Sequence, residues 1–304
     1  MKLERELYLG IDCSGARGPA LPGLCVARAT QGARAPELVA APDGAQHWSR
    51  GALRAFLGAI ASGKARAVAG FDASFGAAWW DERSYFPGLA DAPRDAPSLW
   101  AAVEAHCTDD LDGYAGAIYL DAHHAWSPWL LTPRGRGARW RHRTRVTDRA
   151  AAAVAAGATP SSTFHFVGPA AVGAASFSLW RLLHALRAEL GSRLAIWPMD
   201  PPERCERATL LLVEVFPRLA WLRSGADPRA WSDAAQRARA THYGITARAA
   251  RAFAPRSEHE ADAWIACAAL RADLDHPELW DLSAHPPEVA RCEGWILGAP
   301  PTAQ

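Results

Sequence analysis

The sequence predicts an α/β protein: a mixed β-sheet flanked by helices, with one large irregular insertion. Three observations carry this. Short apolar runs too brief for helices recur along the chain. Stretches with helical periodicity separate several of them. Two of the runs, Leu7 to Ile11 and Ala67 to Phe71, each stop on an aspartate, Asp12 and Asp72. With 304 residues the chain is long for one compact domain and short for two. We read residues 1–304 as one domain with an insertion at about 76–160.

The first run breaks at Asp12-Cys13-Ser14-Gly15, a strand ending in a polar turn. Pro22-Gly23 is a turn, and Leu24 to Ala29 and Glu37 to Ala41 are two further strands of a meander. His47 to Ser62 repeats apolar residues at Leu53, Phe56, Leu57 and Ile60, and Gly63 stops this helix. Ala67 to Phe71 follows as a strand. Residues 76–160 are rich in Gly, Pro, Trp and charge, with Ser98 as the expected cap of a helix reaching Cys107. Their tryptophans pack the insertion onto the core or offer a stacking surface. Pro169 suits the first turn of a helix that runs through Leu179, Leu183 and Leu186 to Gly191. Leu194 to Trp197 is a short strand closed by Pro198. Thr209 to Val215 is the strongest strand signal, with Glu214 near its end. Glu258 to Leu274 is a helix with Asp262 in its first turns, and Trp295 to Leu297 is a last edge strand.

The formal net charge is +1, so no overall basic character marks a nucleic-acid binder. The densest basic run is Arg134, Arg136, Arg139, Arg141, Arg143 and Arg145, read as a solvated face. Six cysteines without a CxxC pair indicate reduced thiols. A charged start with no signal-like segment and no apolar stretch near ~20 residues lead us to expect a cytoplasmic protein and no membrane partner.

Four acids fall where a regular element meets the carboxyl edge of the sheet: Asp12, Asp72, Glu214 and Asp262. Burying such acids together is costly unless something compensates the charge. A hard divalent cation does so through oxygen ligands. Ser14 and Ser74 each lie two residues past a strand-end acid and can bond a phosphate or the carboxylates. Glu258, His259 and Glu260 surround Asp262 as supporting groups. His123-His124 reads as a surface turn and Cys13 as a buried thiol.

Several segments resemble a family of predicted RNase H-like nucleases, itself a domain of unknown function. Gly10-Ile11-Asp12-Cys13-Ser14-Gly15-Ala16 is similar to its opening motif, and Phe164 to Gly173 to its central Gly-rich motif. Ala195 to Pro198, Glu214-Val215-Phe216-Pro217, Glu258 to Ala263 and Glu293 to Ile296 resemble its later segments in order. The resemblance implies an RNase H-like fold akin to RuvC-type resolvases. It implies Asp12, Glu214 and Asp262 as catalytic acids and ligands for Mg²⁺ or Mn²⁺, and Asp72 as a fourth acid. A metal-activated water would attack a phosphodiester of nucleic acid. Arg143 and Gly168 join Ser14 and Ser74 as substrate contacts, and a homodimer is possible on this pattern. The chain departs from the family at Arg143-Thr144-Arg145, where an Arg-Thr-Glu motif is expected, and at Ala174 to Phe177, which is bulkier. The alternatives are a non-catalytic binding protein on the same fold and an actin-like ATPase or phosphotransferase. The latter calls for a duplicated half and a second phosphate loop.

Overall fold

The computed structural model describes residues 3–32, 34–107, 111–168 and 171–301. Its main sheet has six strands. Strands β1 (Leu7–Asp12), β2 (Cys25–Thr30) and β3 (Glu37–Leu38) form the antiparallel meander. After helix α1 (Arg50–Ser62) comes β4 (Ala67–Asp72), parallel to β1. Strands β7 (Leu194–Ile196) and β8 (Leu210–Glu214) complete the order β3-β2-β1-β4-β8-β7, with β8 parallel to both neighbours. The architecture is therefore α/β with a mixed sheet, as the alternation of apolar runs predicts.

The third strand is shorter than expected, two residues where the sequence suggests five. Trp295 to Leu297 contributes a single bridge from Ile296 to Glu214 and no strand. Ser49 caps α1 through the Ala52 amide, so this helix starts three residues later than the periodicity indicates.

The insertion is more regular than its composition suggests. It holds α2 (Ala96–His106), α3 (Gly116–Leu120), a hairpin of β5 (Leu131–Thr132) and β6 (Gly135–Arg136), and α4 (Val146–Val154). Asp95, not Ser98, is the N-cap of α2. Ser98 is the third helical residue and closes a capping box with Asp95. Trp100, Trp126 and Trp129 are buried with Phe86 and Phe164 in one apolar cluster, so they pack the insertion onto the core.

The remaining helices are α5 (Gly173–Leu190), α6 (Pro202–Arg207), α7 (Pro217–Arg223), α8 (Ala234–Arg237), α9 (Ala247–Ala252) and α10 (Glu258–Asp273). The expected role of Pro169 lies outside the described residues. Helix α5 ends at Gly191, whose φ of 54° is costly for a side chain.

Alternation along the strands sorts the core into two layers. Leu9 and Ile11 of β1, Ala69 and Phe71 of β4, and Leu210 and Leu212 of β8 face α1, α2 and α5. Tyr8, Val68, Leu211 and Val213 face α7 and α10. Helix α10 sits unusually close to β1: a Cβ on Gly10 would lie 2.2 Å from the Ala263 carbonyl oxygen and 2.4 Å from the Cys267 nitrogen. Only glycine admits this approach. All six cysteines are free thiols. Among the described residues no helix is long and apolar enough to cross a membrane.

Candidate active site

A cleft of about 850 Å³ opens at the carboxyl ends of β1, β4 and β8. Asp12, Asp72, Glu214 and Asp262 all line it, with Ser14, Ser74 and His259. The four acids nevertheless separate into two groups, and the strand register explains why.

Asp12 and Asp72 are register partners at the ends of adjacent parallel strands. Their side chains therefore leave the same face of the sheet, about 5 Å apart at the backbone. That is the face covered by α10. Gly10, two residues back along β1, lets the helix come near enough to bring Asp262 and His259 over Asp12. Asp12 is 5% exposed, and its carboxylate bonds the His259 ring at 2.7 Å through Nδ1. His259 itself is half exposed, and its ring rests against Gly23. Asp262 accepts a 2.9 Å bond from the Trp221 indole nitrogen. No hydrogen-bond or ion-pair partner of the Asp72 carboxylate occurs among the described residues.

Burial pushes the Asp12 carboxyl up, opposed by His259. Burial, then the charge of Asp12, pushes Asp262 up to about 7. Asp72 is driven well above the usual carboxylate range by burial and then by Asp12, Asp262, Glu214 and Glu258. His259 is raised by its bond to Asp12. Three aspartates thus share one face, and His259 is the one basic side chain bonded to any of them among the described residues, through Asp12.

Glu214 belongs elsewhere. It pairs in register with Phe71, one residue before Asp72, so it leaves the opposite face of the sheet. There Arg145 binds it through two bonds, Nη2 to Oε1 at 2.6 Å and Nη1 to Oε2 at 2.7 Å. The Phe75 amide also donates to Oε2. Arg145 holds Asp148 as well, at 2.8 Å, and donates to the Glu293 carbonyl. Arg145, which stands where the resemblance leads one to expect a glutamate, is thus the partner of Glu214. Asp12, Glu214 and Asp262 line one cleft but are not brought together as a ligand set. Among the described residues no group of three His, Cys, Asp or Glu side chains is drawn into a cage that holds a metal ion.

Of the expected substrate contacts, Ser14 and Ser74 line the cleft. The Ser14 hydroxyl accepts from the Ala16 amide, while its carbonyl accepts from Arg50, which also bonds the Ala16 carbonyl and so pins the loop after β1. The loop after β4 is pinned in the same way: the Trp180 indole donates to the Ser74 carbonyl and the Trp100 indole to that of Phe75, both at 2.7 Å. Arg143 and Gly168 are not among the cleft residues. Arg143 is buried, with both carboxylate oxygens of Asp81 and the carbonyls of Ser84 and Tyr85 as its acceptors, so it holds the insertion together. Arg218 and Phe216 also line the cleft, although sequence reasoning does not single them out. Their positions just past the Glu214 strand are the signal that points to them.

Comparisons with protein-family models, with curated proteins and with solved structures found no match to this chain.

Proposed function

We propose that the cleft is the site of a metal-dependent nuclease on an RNase H-like fold, with Asp12 and Asp72 as the carboxylates that take Mg²⁺ or Mn²⁺. The observation that carries this reading is the register pairing of the two aspartates, with Asp262 packed over them and all three carboxyls raised. The donor chemistry fits a hard divalent ion, which needs only one or two protein carboxylates and completes its shell with water and phosphate oxygens. The absence of a three-residue cage among the described residues is compatible with such a site. When bound, the ion would offset the negative charge and activate water for attack on a phosphodiester.

The chain's own residues have separable tasks. Asp12 and Asp72 hold the ion. His259 fixes the orientation of Asp12 through their 2.7 Å bond. Asp262, steadied by Trp221, faces the reacting centre from the helix side. Ser14 and Ser74 offer polar groups to the phosphate. Glu214 and Arg145 form a neutralising pair at the far wall and hold the Phe75 amide, and with it the loop after Asp72.

One observation favours a second reading, a non-catalytic binding protein. The sequestered Glu214 leaves the acid set smaller than the resemblance implies. Calorimetry with Mn²⁺, together with a nuclease assay on labelled oligonucleotides, separates the two. The nuclease reading expects Mn²⁺ binding and cleavage that Asp12→Asn and Asp72→Asn each abolish. Wild-type protein that binds neither Mn²⁺ nor Mg²⁺ contradicts it, and Mn²⁺ binding without cleavage favours the binding protein.

A further inference from the structure

We infer that the β5–β6 hairpin and the segment after it form a docking surface for the phosphate backbone of a nucleic acid leading into the cleft. The inference rests on the nuclease reading for the chemical class of its partner. It concerns residues the site does not use.

The sequence reads the arginine run at 134–145 as one solvated face. The structure divides it. Arg143 and Arg145 are buried and paired, whereas Arg134, Arg136, Arg139 and Arg141 are exposed. No acidic residue lies between 133 and 142. Arg141 reaches Glu82 at 3.3 Å in an exposed pair worth little in water. No carboxylate partner of Arg134, Arg136 or Arg139 occurs among the described residues. This is a local concentration of positive charge on a protein whose net charge is only +1.

Two of the guanidinium groups are ordered in advance. Arg136 lies over the Trp140 ring at 4.7 Å and Arg139 over Trp129 at 5.2 Å. Arg139 also donates to the Pro87 carbonyl. Less side-chain entropy is then lost when an anion docks.

Location ties this patch to the cleft. Arg145 lines the cleft, and Arg141 is four residues before it, so the backbone between them spans at most about 14 Å. Leu131 of the hairpin bridges to His165, just past Thr159 and Ser161 of the cleft wall. A cleft walled by carboxylates repels a phosphodiester chain. A substrate of that kind needs cations along its approach, and these four arginines supply them.

The test is fluorescence anisotropy with short labelled DNA and RNA oligonucleotides, single-stranded and duplex, in EDTA. Without divalent ions binding is read without cleavage, so failure of the metal site and failure of this surface stay distinct. Removing two phosphate-binding cations weakens single-strand binding at 0.1 M salt about 25-fold and flattens the log–log salt slope by about 1.4. Arg134→Ala/Arg136→Ala is expected to show both changes with an unaltered melting temperature. Arg248→Ala/Arg251→Ala, an equal loss of charge on α9, is expected to bind as the wild type does. Three results overturn the inference: no binding to any oligonucleotide at low salt, equal weakening by the two double variants, or equally tight binding to anionic phospholipid vesicles.

Discussion

Replacing Arg145 by methionine removes the one positive charge shared by two buried carboxylates. Arg145, Asp148 and Glu214 are each 3% exposed or less. Breaking a buried ion pair from one side costs about 3–5 kcal/mol, because the other charge stays behind without water or partner. The loss must also depend on pH. Burial already raises the Glu214 carboxyl, and Arg145 is its main opposing influence. Without the arginine the folded-state pKa climbs further above the unfolded value of about 4.3. A raised folded pKa means that the native state holds the proton more tightly. The associated stability is full below the unfolded pKa and is lost as pH rises through the folded one. Urea unfolding of Arg145→Met against wild type is therefore expected to show the full deficit near pH 8 and a smaller one near pH 5. Adding Glu214→Gln is expected to return part of the loss at pH 8. A variant as stable as wild type at pH 8, or a deficit that does not change with pH, would refute the assignment of Arg145 as the counter-charge of Glu214.

Gly10→Ala places a Cβ about 1.2 Å inside ordinary contact with the α10 backbone, so the helix must move; we expect about 3 kcal/mol of destabilisation and weaker Mn²⁺ binding, read by urea unfolding and calorimetry. Gly58→Ala is its control, because nothing lies within 4 Å of the added carbon in α1, and the expected change is about 0.5–1 kcal/mol of stabilisation. Burial and the neighbouring His106 lower the His124 imidazole to about 4, so an NMR titration is expected to find it neutral at pH 5, where an exposed histidine is charged. This folded pKa lies below the unfolded one, so its contribution to stability is present above about pH 6.5 and lost as pH falls towards 4. Glu293→Gln is expected to loosen the insertion, since the Glu293 carboxylate accepts from the Trp79, Trp80 and Val146 amides; faster amide exchange at those residues checks it.

Much of the fold is legible in the chain because its strands are short, apolar and stopped by polar turns. The meander, α1, β4, α5, β8 and α10 follow from local patterning alone. What local patterning lacks is register. Whether Glu214 faces the same way as Asp12 depends on how β8 aligns with β4, and a slip of one residue reverses every side chain. Asp72 and Glu214 therefore exchange importance. The sequence makes Asp72 a subsidiary acid, whereas the register makes it the neighbour of Asp12. The pairing of Arg145 with Glu214 spans 69 residues and is equally illegible, although Asp148 three residues on is a local sign that Arg145 is held. Likewise Arg143 finds Asp81 across the insertion. Basic residues that look alike in sequence differ in role because tertiary structure, not spacing, decides which are exposed.

The most direct measurement is anomalous scattering from a crystal of this protein soaked in Mn²⁺. A peak within coordination distance of the Asp12 and Asp72 carboxylates, with the Glu214–Arg145 pair intact, is the expected result. A peak on Glu214 with Arg145 displaced, or no peak in the cleft at millimolar Mn²⁺, would contradict it.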